Sequence, residues 1–148
     1  MLKGLDPLLN ADVLHALRAM GHGDRVAIAD TNFPSDAIAR RTALGRLLRI
    51  DASAARVARA VLSVMPLDRA VEHAAFRMEV MGAPDEVPDV QGEVQEALTA
   101  AEPGVTLKGI ERFAFYEEAK GCYAVITTAE RRFYGCFILA KGVVPPDA

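Results

Sequence analysis

Val13, Leu14, Leu17 and Met20 recur at helical spacing behind Asn10, a good N-cap, and ahead of Gly21, a good C′ residue. The spacing predicts a first helix there. Arg25-Val26-Ala27-Ile28-Ala29-Asp30 is a short apolar run ending in an acid, followed by Asn32-Phe33-Pro34, which reads as a strand feeding a loop. Leu47 to Ile50 reads as a second short strand. Ser53 then caps a helix with apolar positions at Val57, Val61, Leu62 and Met65, stopped by Pro66.

From Phe76 to Val80 the pattern alternates, with Phe76, Met78 and Val80 on one face and Arg77 and Glu79 on the other, as a strand requires. Asp85 to Asp89 is a loop, and Val90 to Ala101 a helix ending at Pro103-Gly104. Val105 to Ile110 reads as a strand and Phe113 to Lys120 as a short helix closed by Gly121. Two further strands, Tyr123 to Thr127 and Tyr134 to Lys141, are near enough in sequence to form an antiparallel hairpin. Helices alternating with short apolar strands predict an α/β fold: one domain over residues 1–148, a mixed β-sheet flanked by helices.

Composition narrows the function. The chain has 148 residues, 17 basic and 20 acidic, for a net charge of −3. That balance lacks the basic footprint of a nucleic-acid binder. No apolar stretch approaches the ~20 residues that span a bilayer. Two cysteines, Cys122 and Cys136, are too few for a disulfide framework and lack C-x-x-C spacing, which makes a reduced, cytoplasmic setting the expectation.

Candidate chemistry is sparse. In Gly21-His22-Gly23-Asp24 two glycines leave an imidazole unshielded, suited to proton transfer near neutrality, although the same tetrapeptide also makes a plain turn. Asp30, at the carboxyl end of the first strand, stands where open α/β sheets place their ligands, or else starts an Asx turn. Arg112-Phe113-Ala114-Phe115-Tyr116-Glu117 offers a donor fork and stacking faces for a polyhydroxylated ligand, or else supplies core and a charged edge. Tyr134-Gly135-Cys136 permits close backbone approach to a ligand, or marks a bulge. His15 and His73 have no partner at metal-ligand spacing, so no metal is expected. Walker A, G-x-S-x-G and complete dinucleotide fingerprints are absent.

Taken together, several segments resemble the fucose mutarotase family, which is related to the ribose pyranases. They are Met1-Leu2-Lys3-Gly4, Met20-Gly21-His22-Gly23-Asp24, Ala29-Asp30 with Asn32-Phe33-Pro34, Arg112 to Glu117, Glu130-Arg131 leading into Tyr134-Gly135, and Lys141-Gly142-Val143. The resemblance implies a cofactor-free α/β fold and a homo-oligomer, often a decamer of two pentameric rings. It implies interconversion of the α and β anomers of L-fucose by general acid/base catalysis. It places the catalytic histidine on His22, oriented by Asp30, and the sugar-binding acid on Asp30 as well. Sugar contacts fall on Arg112, Tyr116 and Tyr134, and further contacts on Asp68 and Met78. Cys136 stands where relatives commonly carry asparagine, and a thiol bonds hydroxyls far more weakly than a carboxamide. That exchange keeps a D-ribose pyranase, another monosaccharide mutarotase and a non-catalytic sugar-binding module as alternatives.

Overall fold

The structure, a computed structural model, describes residues 1–148. Five strands run one way: β1 (Arg25–Ala29), β2 (Leu48–Ile50), β3 (Ala75–Met78), β4 (Lys108–Ile110) and β5 (Ala124–Thr128). The sixth, β6 (Phe137–Ala140), runs against them, and the order across the sheet is β2-β5-β1-β6-β3-β4. The expected mixed sheet is present. The expected hairpin is not. β5 and β6 flank β1 on either side, with Val26 opposite Ala124 in parallel and opposite Leu139 in antiparallel register. The insertion has a physical cause: Val26, Ala27, Ile28 and Ala29 are all fully buried, and a strand apolar on both faces belongs at the centre of a covered sheet.

Alternation along the strands divides the core. Val26, Ile28, Ala124, Ile126, Phe137 and Leu139 face one layer, made by α1 (Ala11–Ala19), α3 (Ala54–Leu62) and α4 (Asp89–Ala101). Ala27, Ala29, Val125 and Ile138 face the other, made by α2 (Ser35–Ala39) and α5 (Arg112–Lys120). The first layer holds 29 buried apolar residues and the second only 12, so the thinner face leaves room for a cleft.

Asn10 caps α1 by accepting the Val13 N–H at 3.0 Å, and Ser53 caps α3, as the sequence predicts. α2 was not predicted, because five residues are too few to show a helical period. β3 stops at Met78, short of Val80, which instead closes a tight turn with Ala83 around Gly82 (φ 75°). β4 begins only at Lys108. The final strand begins at Phe137, three residues later than expected, because Tyr134 has φ 62° and cannot lie in an extended strand. No helix is long and apolar enough to cross a membrane.

Candidate active site

The carboxyl ends of β1, β3 and β4 and the entry to β6 converge on a cavity of about 360 Å³. It is lined by Asp30, Asn32, Phe33, Met78, Arg112, Tyr116, Phe133, Tyr134 and Cys136. Such crevices are where α/β sheets bind ligands, and the volume suits a small molecule. Six of the nine residues are apolar, and the polar ones are few and convergent.

Asp30 anchors the floor. Its Oδ1 accepts the backbone N–H groups of Asn32 and Phe33, both at 3.0 Å, and its Oδ2 accepts the Gly135 N–H at 3.1 Å. Three donors fix a buried carboxylate whose remaining lone pairs serve the cavity. The Asx turn and the ligand site, alternatives in the sequence, are therefore the same structure. On the opposite wall the Arg112 Nε donates to the Tyr116 hydroxyl at 3.0 Å, and this bond holds the guanidinium firmly protonated. Phe33 packs edge-on against Tyr116 and Phe115, with ring centroids 5.3 and 5.8 Å apart. Tyr134 completes the ring; its hydroxyl accepts the Met81 N–H at 3.2 Å.

Cys136 is fully buried at the cavity floor. Burial and the neighbouring Asp30 charge push its thiol well above the usual range. Burial likewise pushes Cys122 up to about 12. Both are free, neutral thiols, so Cys136 meets a ligand as a weak donor and not as a nucleophile.

His22 and Asp68 stand elsewhere. The His22 Nε2 and Asp68 Oδ1 are 2.9 Å apart, and the imidazole holds the carboxyl below the usual carboxylate range. Asp68 is also fixed by the Ala70 N–H, at 2.9 Å, and is buried, whereas His22 is half-exposed. The pair sits at the opposite end of β1 from Asp30; β1 alone separates them by about 13 Å at the ~3.3 Å rise of a strand. Asp30 therefore does not orient His22; Asp68 does. The cause is topological, since Gly21-His22-Gly23 precedes β1 and Asp30 follows it. Asp68 is correspondingly absent from the cavity wall.

Two supporting residues escaped the sequence reading. Glu130, nearly fully buried, accepts the Arg132 Nε at 2.9 Å and the Ala54 N–H at the start of α3. Arg132 also makes a two-pronged pair with Glu93, 2.8 Å on each arm. These contacts brace the loop that carries Phe133 to Cys136 and hold Glu130 at about 2, below its ordinary 4.5. A carboxyl depressed on folding contributes stability above its unfolded value and loses it as pH falls from about 4.5 towards 2. Glu130→Gln should therefore lower stability at pH 7 by about 2 kcal/mol, allowing for solvent screening of the half-exposed Arg132, and flatten the loss of melting temperature between pH 5 and 3. A variant that loses stability as steeply as the parent on acidification would assign that slope to other carboxyls. The second unpredicted residue, Gln91, is fully buried and bonded to Met78 and Tyr134.

Fold and cavity together define a small-ligand-binding α/β domain whose site opens at the carboxyl ends of a mixed sheet. The model of the RbsD / FucU transport protein family matches residues 3–144, and the chain belongs to that family. It is 39% identical to the fucose mutarotase of Bos taurus over 150 residues, covering 99% of this chain and 96% of that one. Among solved structures, protein Atu2016 is 62% identical with a TM-score of 0.96, over 98% of this chain and 97% of that one. The fucose mutarotase of Streptococcus pneumoniae in complex with L-fucose is 32% identical with a TM-score of 0.86, over 97% and 100%.

Proposed function

We propose that this protein is an L-fucose mutarotase, interconverting the α and β anomers through the open-chain aldehyde. The observation that carries the reading is the cavity itself. Asp30, Arg112, Tyr116 and Tyr134 present acceptors and donors for ring hydroxyls, while Phe33, Met78 and Phe133 offer apolar surface to the carbon skeleton. A 6-deoxy sugar has one hydroxyl fewer and one methyl more than a hexose, which suits a wall two-thirds apolar. Relatives named fucose mutarotase, aligned over nearly the whole chain, support the same reading.

The chemistry requires two proton transfers. A base removes the proton from the O1 hydroxyl and an acid protonates the ring oxygen. The C1–O5 bond breaks as the C1 carbonyl forms. Rotation about C1–C2 exposes the other carbonyl face, and closure runs both transfers backwards. His22 is the proton carrier in this scheme. Asp68, kept ionised, binds one imidazole nitrogen and leaves Nδ1 for exchange with the sugar.

Because His22 and Asp30 lie at opposite ends of β1, a sugar held by Asp30 meets only the His22 of a second copy. Exposed apolar side chains stand at both ends: Met81, Phe113 and Phe133 beside the cavity, Val71, Val143 and Val144 near the His22 end. Two different faces that pair head to tail close into rings. The assembly proposed is a pentameric ring, doubled to a decamer. Light scattering behind size exclusion should give a mass near ten times the 15.9 kDa chain. A monomer with full activity would overturn the shared site.

The direct test is exchange NMR on the anomeric protons of L-fucose, D-ribose and D-galactose, with and without protein. Accelerated exchange of L-fucose is expected. Cys136 is the one feature that favours a second reading, a mutarotase for another monosaccharide. Acceleration confined to one of the other sugars would establish that reading, and acceleration of none would leave a binding module.

A further inference from the structure

Along α4, Val90, Val94, Ala97 and Leu98 form the core-facing stripe, and Gln91 falls within it. A carboxamide in such a place is costly unless every group is bonded. Here every group is. Nε2 donates to the Met78 carbonyl at 2.7 Å and to the Tyr134 carbonyl at 3.0 Å, and Oε1 accepts from the Arg77 guanidinium at 3.1 Å. Two carbonyls on one side and a guanidinium on the other admit only this orientation of the amide.

Both carbonyls belong to residues that line the cavity. Tyr134 is also the only residue other than glycine with a positive φ, 62°. The peptide linking it to Gly135 is clamped at both ends. Its carbonyl is held by Gln91 on the helix side, and its N–H by the Asp30 Oδ2 on the cavity side. In a trans peptide these two groups point in opposite directions, so one rigid plane connects a core glutamine to the cavity's only carboxylate.

We infer that Gln91 is a positioning residue for the sugar site, acting through the Tyr134–Gly135 peptide; this extends the sugar-binding function proposed above. Without its amide donors the Tyr134 carbonyl loses its counterweight. The left-handed φ then relaxes, the Gly135 N–H swings away from Asp30, and the Tyr134 ring shifts in the wall. Misplacements on the ångström scale are enough to cost orders of magnitude in a site of fixed dipoles.

The test uses the full-length protein. Gln91→Met keeps the volume and removes both donors; Gln91→Asn keeps an amide but withdraws it by one methylene, so it no longer reaches both carbonyls. Gln95→Met is the matched control. Gln95 sits one turn further along α4 and bridges Val105 and Leu107, far from the cavity. Gln91→Met should raise KM for L-fucose about 10-fold or more with kcat within about 3-fold, since the proton carrier is untouched. Its Gly135 amide resonance should shift and lose hydrogen-exchange protection, with Gln91→Asn following in the same direction. Gln95→Met should lower the melting temperature while leaving KM and the Gly135 amide alone. Folded Gln91 variants with parental KM and an unchanged Gly135 amide would overturn the inference, as would equal effects from Gln95→Met. If the parent protein fails to exchange L-fucose, the functional proposal falls by itself, and the Gly135 amide still decides the role of Gln91.

Discussion

Replacing His22 by alanine is expected to slow L-fucose anomer exchange by about 10²–10⁴-fold, the usual contribution of a positioned acid–base group, while the sugar's affinity changes by no more than a few-fold. The asymmetry follows from where the side chain stands. The groups that hold hydroxyls surround the cavity at the carboxyl ends of the strands, and His22 contributes to none of that wall. It is held from behind by Asp68 and half-exposed in front, an arrangement that costs binding nothing when removed. Asp68→Asn should be the milder relative of His22→Ala. It keeps a bond to the ring but loses the charge that favours the imidazolium, so the rate falls and the pH profile moves with little change in KM. Exchange NMR at several pH values reads both. Parental turnover in His22→Ala would remove the imidazole from the mechanism.

Much of this was legible in the chain, and the failures share a cause. Asp30 was identifiable because an acid ending a wholly apolar run marks the carboxyl end of a buried strand, where such folds bind ligands. Asn10 and Ser53 were identifiable because capping is local. The hairpin was misread because strand order is decided by which strand is apolar on both faces, and proximity in sequence does not report that. The partnership of His22 with Asp30 failed for the same reason: eight residues apart in sequence, they are separated by a strand that points them to opposite ends. Glu130 and Gln91 were missed as polar residues presumed to face solvent. Gln91 carried a usable signal, since it breaks an otherwise apolar stripe at i and i+3 with Val94, and a polar residue in a buried stripe must be answering something. Glu130 carried none, because its partners come from α3, α4 and its own loop.

Mixing two inactive proteins should restore activity. Asp30→Ala removes the acceptor of three backbone N–H groups and the cavity's only carboxylate, so sugar binding should be lost along with turnover. His22→Ala loses turnover by the separate route above. If one active site takes its cavity from one copy and its imidazole from the next, random co-assembly produces some junctions in which both donated parts are intact. At equal proportions a junction has a one-in-two chance of a sound cavity and a one-in-two chance of a sound imidazole. About a quarter of parental activity should therefore appear in a ring of heterologous contacts. Co-expression of differently tagged chains followed by tandem purification provides the mixed assembly, and each variant alone provides the baseline. Recovery near a quarter requires that His22 and Asp30 act from different chains, because a site built within one chain leaves every subunit of the mixture defective. Absence of recovery in a properly assembled mixture would place the chemistry within single subunits. Asp30, with Arg112 and the tyrosines, would then have to perform both proton transfers without the histidine.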